Sequence, residues 1–202
     1  MTNMDSALMK FLLEDYPRHR GKAPEKVVPP RREEPHRGTF EIRDQQERII
    51  QEPNAGVSVI RWQGEPVEVI DFEGYIKQFG EEGVLRCDFV ISPVAGDAFI
   101  VFNELTESEG QYIEKKQQHA WGQLAASIER FYEIGNLLDD YQKKVALFSY
   151  RLTDEPQGHL VMETRGKFRK PQAVVRNIFR HEFLPHGFLF ERRLYPEPYL
   201  IS

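Results

Sequence analysis

Two carboxylates set among apolar residues are the strongest chemical feature of this sequence. Asp88 lies within Leu85–Ile91 (LRCDFVI), and sixteen residues later Glu104 closes Ala98–Leu105 (AFIVFNEL). A carboxylate beside such runs is costly to bury unless a partner or a cation compensates it. Ser92-Pro93 and Gly96-Asp97 mark a turn between the two runs, which therefore read as a hairpin. That pairing makes Asp88, near the start of one strand, a neighbour of Glu104, near the end of the other. Two converging carboxylates suit Mg2+, a hard cation that takes oxygen ligands and keeps waters for a phosphate to replace. Such an ion polarises a phosphodiester and lowers the pKa of an attacking water. The opposing interpretation is a pair of exposed strand-end acids, one beside Arg86, with no ligand.

The elements that must hold these residues are legible in the pattern. Val57–Trp62 and Val67–Phe72 read as strands, the second alternating apolar and acidic residues. Phe40–Gln51 reads as a strand entry or a short helix. Residues 111–134 form the clearest helix, with Ile113, Ala120, Trp121, Leu124, Ile128, Phe131 and Tyr132 on one stripe and Gly135-Asn136 as the stop. Val145–Leu152, His159–Glu163 and Phe188–Leu194 read as strands, and Lys170–Phe183 as a basic helix. The order predicts an α/β (α+β) fold: a central mixed sheet with a long helix after the Asp88 and Glu104 strands.

Three short motifs carry a resemblance. Cys87-Asp88-Phe89-Val90-Ile91, then Phe102-Asn103-Glu104-Leu105-Thr106, then the helical Gln123-Leu124-Ala125-Ala126-Ser127-Ile128 resemble the core of the PD-(D/E)XK nuclease superfamily, over about 45 of 202 residues. Members commonly have an Asp leading one strand, a Glu-x-Lys ending the next and a Gln on the following helix. The resemblance implies a restriction-endonuclease-like fold, Mg2+ on Asp88 and Glu104, and Gln123 within reach of the metal-bound phosphate. A Gln that merely caps a strand carbonyl is the plainer alternative. The resemblance also implies an upstream helical acid, for which Glu73, Glu81 and Glu82 are candidates that spacing does not separate. The family's lysine position falls on Thr106, whose hydroxyl cannot supply an ammonium's charge. Either Lys115 or Lys116, early in the helix, takes that lysine's role, or the site has decayed and the fold serves binding or assembly.

Composition bounds the rest. A chain of 202 residues with 40% hydrophobic and 12% aromatic residues can build one packed core. A single cysteine, Cys87, excludes an internal disulfide and every Cys-rich zinc site; it reads as a core thiol. No apolar run approaches a membrane span and no signal peptide is legible, so a cytoplasmic location without membrane partners is expected. Six histidines show no metal-ligand spacing, and Ser127 lacks a nucleophile-elbow context. Residues 1–140 carry a net charge of −10 and residues 141–202 a net +5. Within that basic third, Arg165, Lys167, Phe168, Arg169 and Lys170, followed by Arg176 and Arg180, could grip DNA or RNA through phosphate neutralisation and stacking. An ordinary charged loop is the alternative.

Residues 1–16 form a short amphipathic helix, with Asp5 or Ser6 as N-cap, Pro17 as its end, and Met4, Leu8, Phe11 and Leu12 on one face. Residues 17–38 hold five prolines among charges and read as an extended linker, leaving 39–202 as a single nuclease-like domain. A short helix must dock: on its own domain, on a second copy, or on a protein partner. Two functions are therefore expected as alternatives. One is a Mg2+-dependent nuclease. The other is a non-catalytic assembly subunit, with no cofactor, recruited through residues 1–38.

Overall fold

The structure is a computed structural model that describes residues 6–35, 38–44, 48–80, 83–153 and 183–201. Helix α1 (Ala7–Lys10) runs through a π turn (Phe11–Asp15) into α2 (Tyr16–His19). Strands β1 (Arg32–Glu33), β2 (Thr39–Ile42), β3 (Ile50–Gln51), β4 (Ser58–Trp62) and β5 (Val67–Asp71) follow, then the short helix α3 (Phe72–Ile76). After β6 (Phe89–Pro93) and β7 (Phe99–Ser108) comes α4 (Ile113–Tyr132), then β8 (Lys143–Leu152), β9 (Phe183–Leu184), β10 (Phe188–Leu194) and β11 (Tyr199–Ile201).

Seven strands form the main sheet, in the order β1-β5-β6-β7-β8-β10-β9, and four form a smaller one, β11-β4-β2-β3. Strands β5, β6 and β7 are successively antiparallel; β8 then lies parallel to β7, and β10 parallel to β8. The fold is thus a mixed α/β arrangement with two mixed sheets and one long helix. A parallel neighbour requires a crossover, and α4 is that crossover between β7 and β8. The side-chain alternation of β7 divides the core in two. Ile100 and Phe102 face α4 with Leu124, Ile128 and Phe131, whereas Phe99 and Val101 face the small sheet with Phe40, Ile42 and Ile60.

The N-terminal segment belongs to the first of these cores. Leu8, Phe11, Leu12 and Tyr16 are buried there, the Phe11 ring stacks on Phe131 at 4.8 Å, and the Tyr75 hydroxyl donates to the Leu12 carbonyl. This is a correction to the partner-binding reading of Leu8, Phe11 and Leu12. Their apolar face is docked on the chain's own domain, because burial against α4 removes it from water at once. Met4 lies outside the described residues. Ser6 is the N-cap, accepting from the Met9 N–H at 3.1 Å. Pro17 does not end the helix; it sits in the first turn of α2, where a missing N–H is tolerated, just after the π turn.

The proline-rich segment 17–35 also lies against the fold, with Pro17 and Pro30 buried, Val27 packed on the first core, and several polar contacts. The Gln78 side chain accepts from the Val28 N–H and donates to the Val28 carbonyl, at 3.0 and 2.9 Å. Arg31 pairs with Asp71 at 3.0 Å, and β1 pairs antiparallel with β5. Arg32 also meets the fully buried Glu68 at 3.1 Å, and Ser6 donates to the same carboxylate at 2.6 Å. The strand expected at 159–163 and the helix expected at 170–183 lie outside the described residues, apart from Phe183, which is in strand β9 and not in a helix. Among the described residues no helix is long and apolar enough to cross a membrane.

Candidate metal centre

The register of β6 and β7 decides where the two carboxylates stand. The last ladder pair is Phe89 with Asn103, so one further step places Asp88 opposite Glu104. Residues opposite each other on antiparallel strands project from the same face. Glu104 alternates with Ile100 and Phe102, which puts the pair on the α4 side of the sheet. Contrary to the expected strand end at Leu105, β7 continues to Ser108, so Glu104 is a mid-strand residue rather than a terminal one.

Glu104 is buried, whereas Asp88 is half-buried. Glu104 is 6% exposed, and its Oε2 is buried without a hydrogen-bond partner among the described residues. Asp88 Oδ2 accepts the Leu105 main-chain N–H at 2.7 Å. Burial raises the Asp88 carboxyl to about 7, against the Leu105 hydrogen bond, with the negative charges of Glu73, Asp44 and Asp71 adding to the rise. Burial and the neighbouring Asp88 push Glu104 higher still, opposed by the Gln123 amide. Desolvation and mutual repulsion both penalise the charged forms of two adjacent acids, which favours protonation.

No salt bridge among the described residues ties either acid to an arginine. Arg86 turns instead to Glu73, at 3.5 Å, and Lys77 meets the same carboxylate at 3.2 Å. Of the three upstream candidates, Glu73 lies in the first turn of α3 and its charge reaches both Asp88 and Glu104; Glu81 and Glu82 lie outside the described residues. Spacing had not singled it out, since α3 is only five residues long. Its signal was the N-cap Asp71, which accepts from the Gly74 N–H at 2.7 Å and starts the helix directly after β5.

Gln123 projects from α4 toward the pair. Its Nε2 donates to the Arg86 carbonyl at 2.9 Å, capping a loop carbonyl instead of the expected strand carbonyl, while its amide also favours the charged form of Glu104. Lys115 and Lys116 are exposed in the first turn of α4 and are paired with neither acid among the described residues. Thr106 is half-buried and, two residues beyond Glu104 on β7, shares its face. Cys87 is a fully buried thiol whose pKa is driven up by that burial. Arg165, Lys167, Phe168, Arg169, Lys170, Arg176 and Arg180 lie outside the described residues.

The donor set fits a divalent cation in one respect and is thin in another. An orphaned buried carboxylate oxygen beside a second acid is a site that a cation would complete. Yet the described residues contain no group of three or more His, Cys, Asp and Glu side chains arranged to hold a metal. Asp88 and Glu104 thus offer two side-chain donors, fewer than the oxygen ligands a hard divalent cation takes. A cavity of about 860 Å3 opens elsewhere, over the small sheet beside Thr39, Arg61 and Trp62, and includes none of these residues. No protein-family model matches the chain, and neither curated proteins nor solved structures yield a match.

Proposed function

We propose that the chain is a PD-(D/E)XK nuclease-like protein whose Asp88 and Glu104 bind Mg2+ and act on nucleic acid. The observation that carries this reading is the half-buried Asp88 opposite the buried Glu104, whose Oε2 has no hydrogen-bond partner among the described residues. Supporting it, Asp88 directly before β6, the antiparallel Glu104 strand β7 and the Gln123 helix α4 follow one another in the order the resemblance implies. A bound cation supplies Lewis-acid polarisation of a phosphodiester and a more acidic water. The chain's own residues do the rest. Asp88 and Glu104 hold the ion, the Leu105 N–H fixes the Asp88 carboxylate, and Gln123 orients Glu104. The cationic run Arg165–Lys170, with Arg176 and Arg180, would contact the phosphate backbone.

The test is Mg2+- or Mn2+-dependent cleavage of single- and double-stranded DNA and RNA by the full chain. Asp88→Ala and Glu104→Ala are each expected to abolish it, and cleavage that survives both overturns the assignment.

Thr106 in the lysine's place favours a second reading, in which the fold binds but no longer cleaves. Recruitment of a partner through Leu8, Phe11 and Leu12 loses support from their burial, so a binding role would fall to other surfaces.

A further inference from the structure

Residues 84–88 belong to no strand, yet their main chain is clipped at successive positions by side chains of α4. Gln123 Nε2 donates to the Arg86 carbonyl at 2.9 Å. The Cys87 N–H donates to Ser127 Oγ at 2.8 Å, and that hydroxyl donates to the Gln123 carbonyl at 2.8 Å. Arg130 Nη1 donates to the Leu85 carbonyl at 2.5 Å. These three residues stand at i, i+4 and i+7, the spacing of one helix face. From the opposite side the N–H groups of Phe72 and Glu73 donate to the Asp88 carbonyl, at 2.9 and 3.1 Å.

Ser127 is fully buried and Arg130 is 5% exposed. Burying a guanidinium is expensive compared with an apolar side chain of similar volume. A helix that needed only to pack on the sheet would be served better by Leu or Met at position 130. The shared feature of the two buried polar residues is the loop they hold, and that loop ends at Asp88. A strand ladder would have fixed this segment without help, but β6 begins only at Phe89.

We infer that Ser127 and Arg130 are positioning residues for Asp88: by clamping Leu85 and Cys87 they bring its carboxylate onto the Leu105 N–H and beside Glu104. The consequence for cation binding rests on the function proposed above; the geometric claim does not. Replacing Ser127 by Ala leaves the buried Cys87 N–H without its acceptor, and the loop gains freedom to shift. Neither residue is expected to touch the cation or the substrate.

The test uses the full-length chain and two readouts. The first is hydrogen exchange of the Leu105 amide without metal, followed by NMR against the Phe102 and Phe148 amides as internal references. The second is Mn2+ affinity by calorimetry. In Ser127→Ala and Arg130→Met, Leu105 exchange is expected to accelerate at least roughly tenfold while the references hold, and Mn2+ to bind roughly 10–100-fold more weakly, as when outer-shell partners of metal ligands are lost. Ser127→Thr and Arg130→Lys are expected to recover most of both effects. Should Arg130→Met fail to fold, Ser127→Ala, which removes a single hydroxyl, carries the test. Unchanged Leu105 exchange in the folded variants overturns the inference, and so does equal acceleration of all three amides. If Leu105 responds as expected but the parent protein binds no Mn2+, the positioning claim stands and the cation reading falls.

Discussion

Asp88 and Leu105 are joined across the opening between β6 and β7, the Leu105 main-chain N–H meeting the Asp88 carboxylate at 2.7 Å. This one hydrogen bond fixes an irregular residue to a regular strand. Opposite Asp88, the Glu104 Oε2 is buried with no hydrogen-bond partner among the described residues.

That pair makes stability depend on pH in a defined direction. Both carboxyls have folded-state pKa values raised above those of the unfolded chain, so the fold keeps protons that the unfolded chain releases. Below about pH 4 both states are protonated and the effect is absent. Stability is then lost as pH rises from the unfolded values through about 7, where Asp88 titrates, and onward for Glu104. Glu104→Gln removes the buried acid, and urea unfolding should find it more stable than the parent by about 1–3 kcal/mol at pH 8, with little difference near pH 4.

Divalent cations should reverse the same loss. At pH 8, Mn2+ or Mg2+ at about 100 times Kd should stabilise the parent by about 2.7 kcal/mol. The effect should shrink at pH 5, where protons compete for the ligands, and vanish in Asp88→Asn. Thermal unfolding with and without metal measures it.

Thr106→Lys tests whether the missing ammonium is what limits chemistry. The side chain at 106 shares the Glu104 face of β7, so a lysine there reaches the pair. Metal-dependent cleavage is expected to rise by about 10²-fold or more, the range of a positioned proton-transfer group. No rise in a variant that still binds Mn2+ would mean the defect lies elsewhere.

The N-terminal segment should behave as core. Phe11→Ala removes a ring stacked on Phe131 and is expected to destabilise the chain by about 3–5 kcal/mol in chemical denaturation. A loss below about 1 kcal/mol would show that the segment is only lightly attached.

The sequence by itself determined the long helix and most of the longer strands, because two-residue alternation and the 3.6-residue stripe are local consequences of backbone geometry, whereas the short β1, β9 and β11 left no such pattern. Phe188–Leu194 matches β10 residue for residue, and α4 lies within the expected 111–134. It also named Asp88 and Glu104, since an acid amid apolar residues stands out without any knowledge of its neighbours; Gln123 came only from the motif resemblance. Tertiary structure decided what those residues meet. Register set Asp88 opposite Glu104, a five-residue helix too short to leave a periodic signal brought Glu73 near, and Ser127 and Arg130 became loop clamps through contacts some 40 residues apart in the chain. It decided as well that Leu8, Phe11 and Leu12 cover α4's core. An amphipathic pattern specifies that a face is buried; only three-dimensional packing selects the surface that buries it.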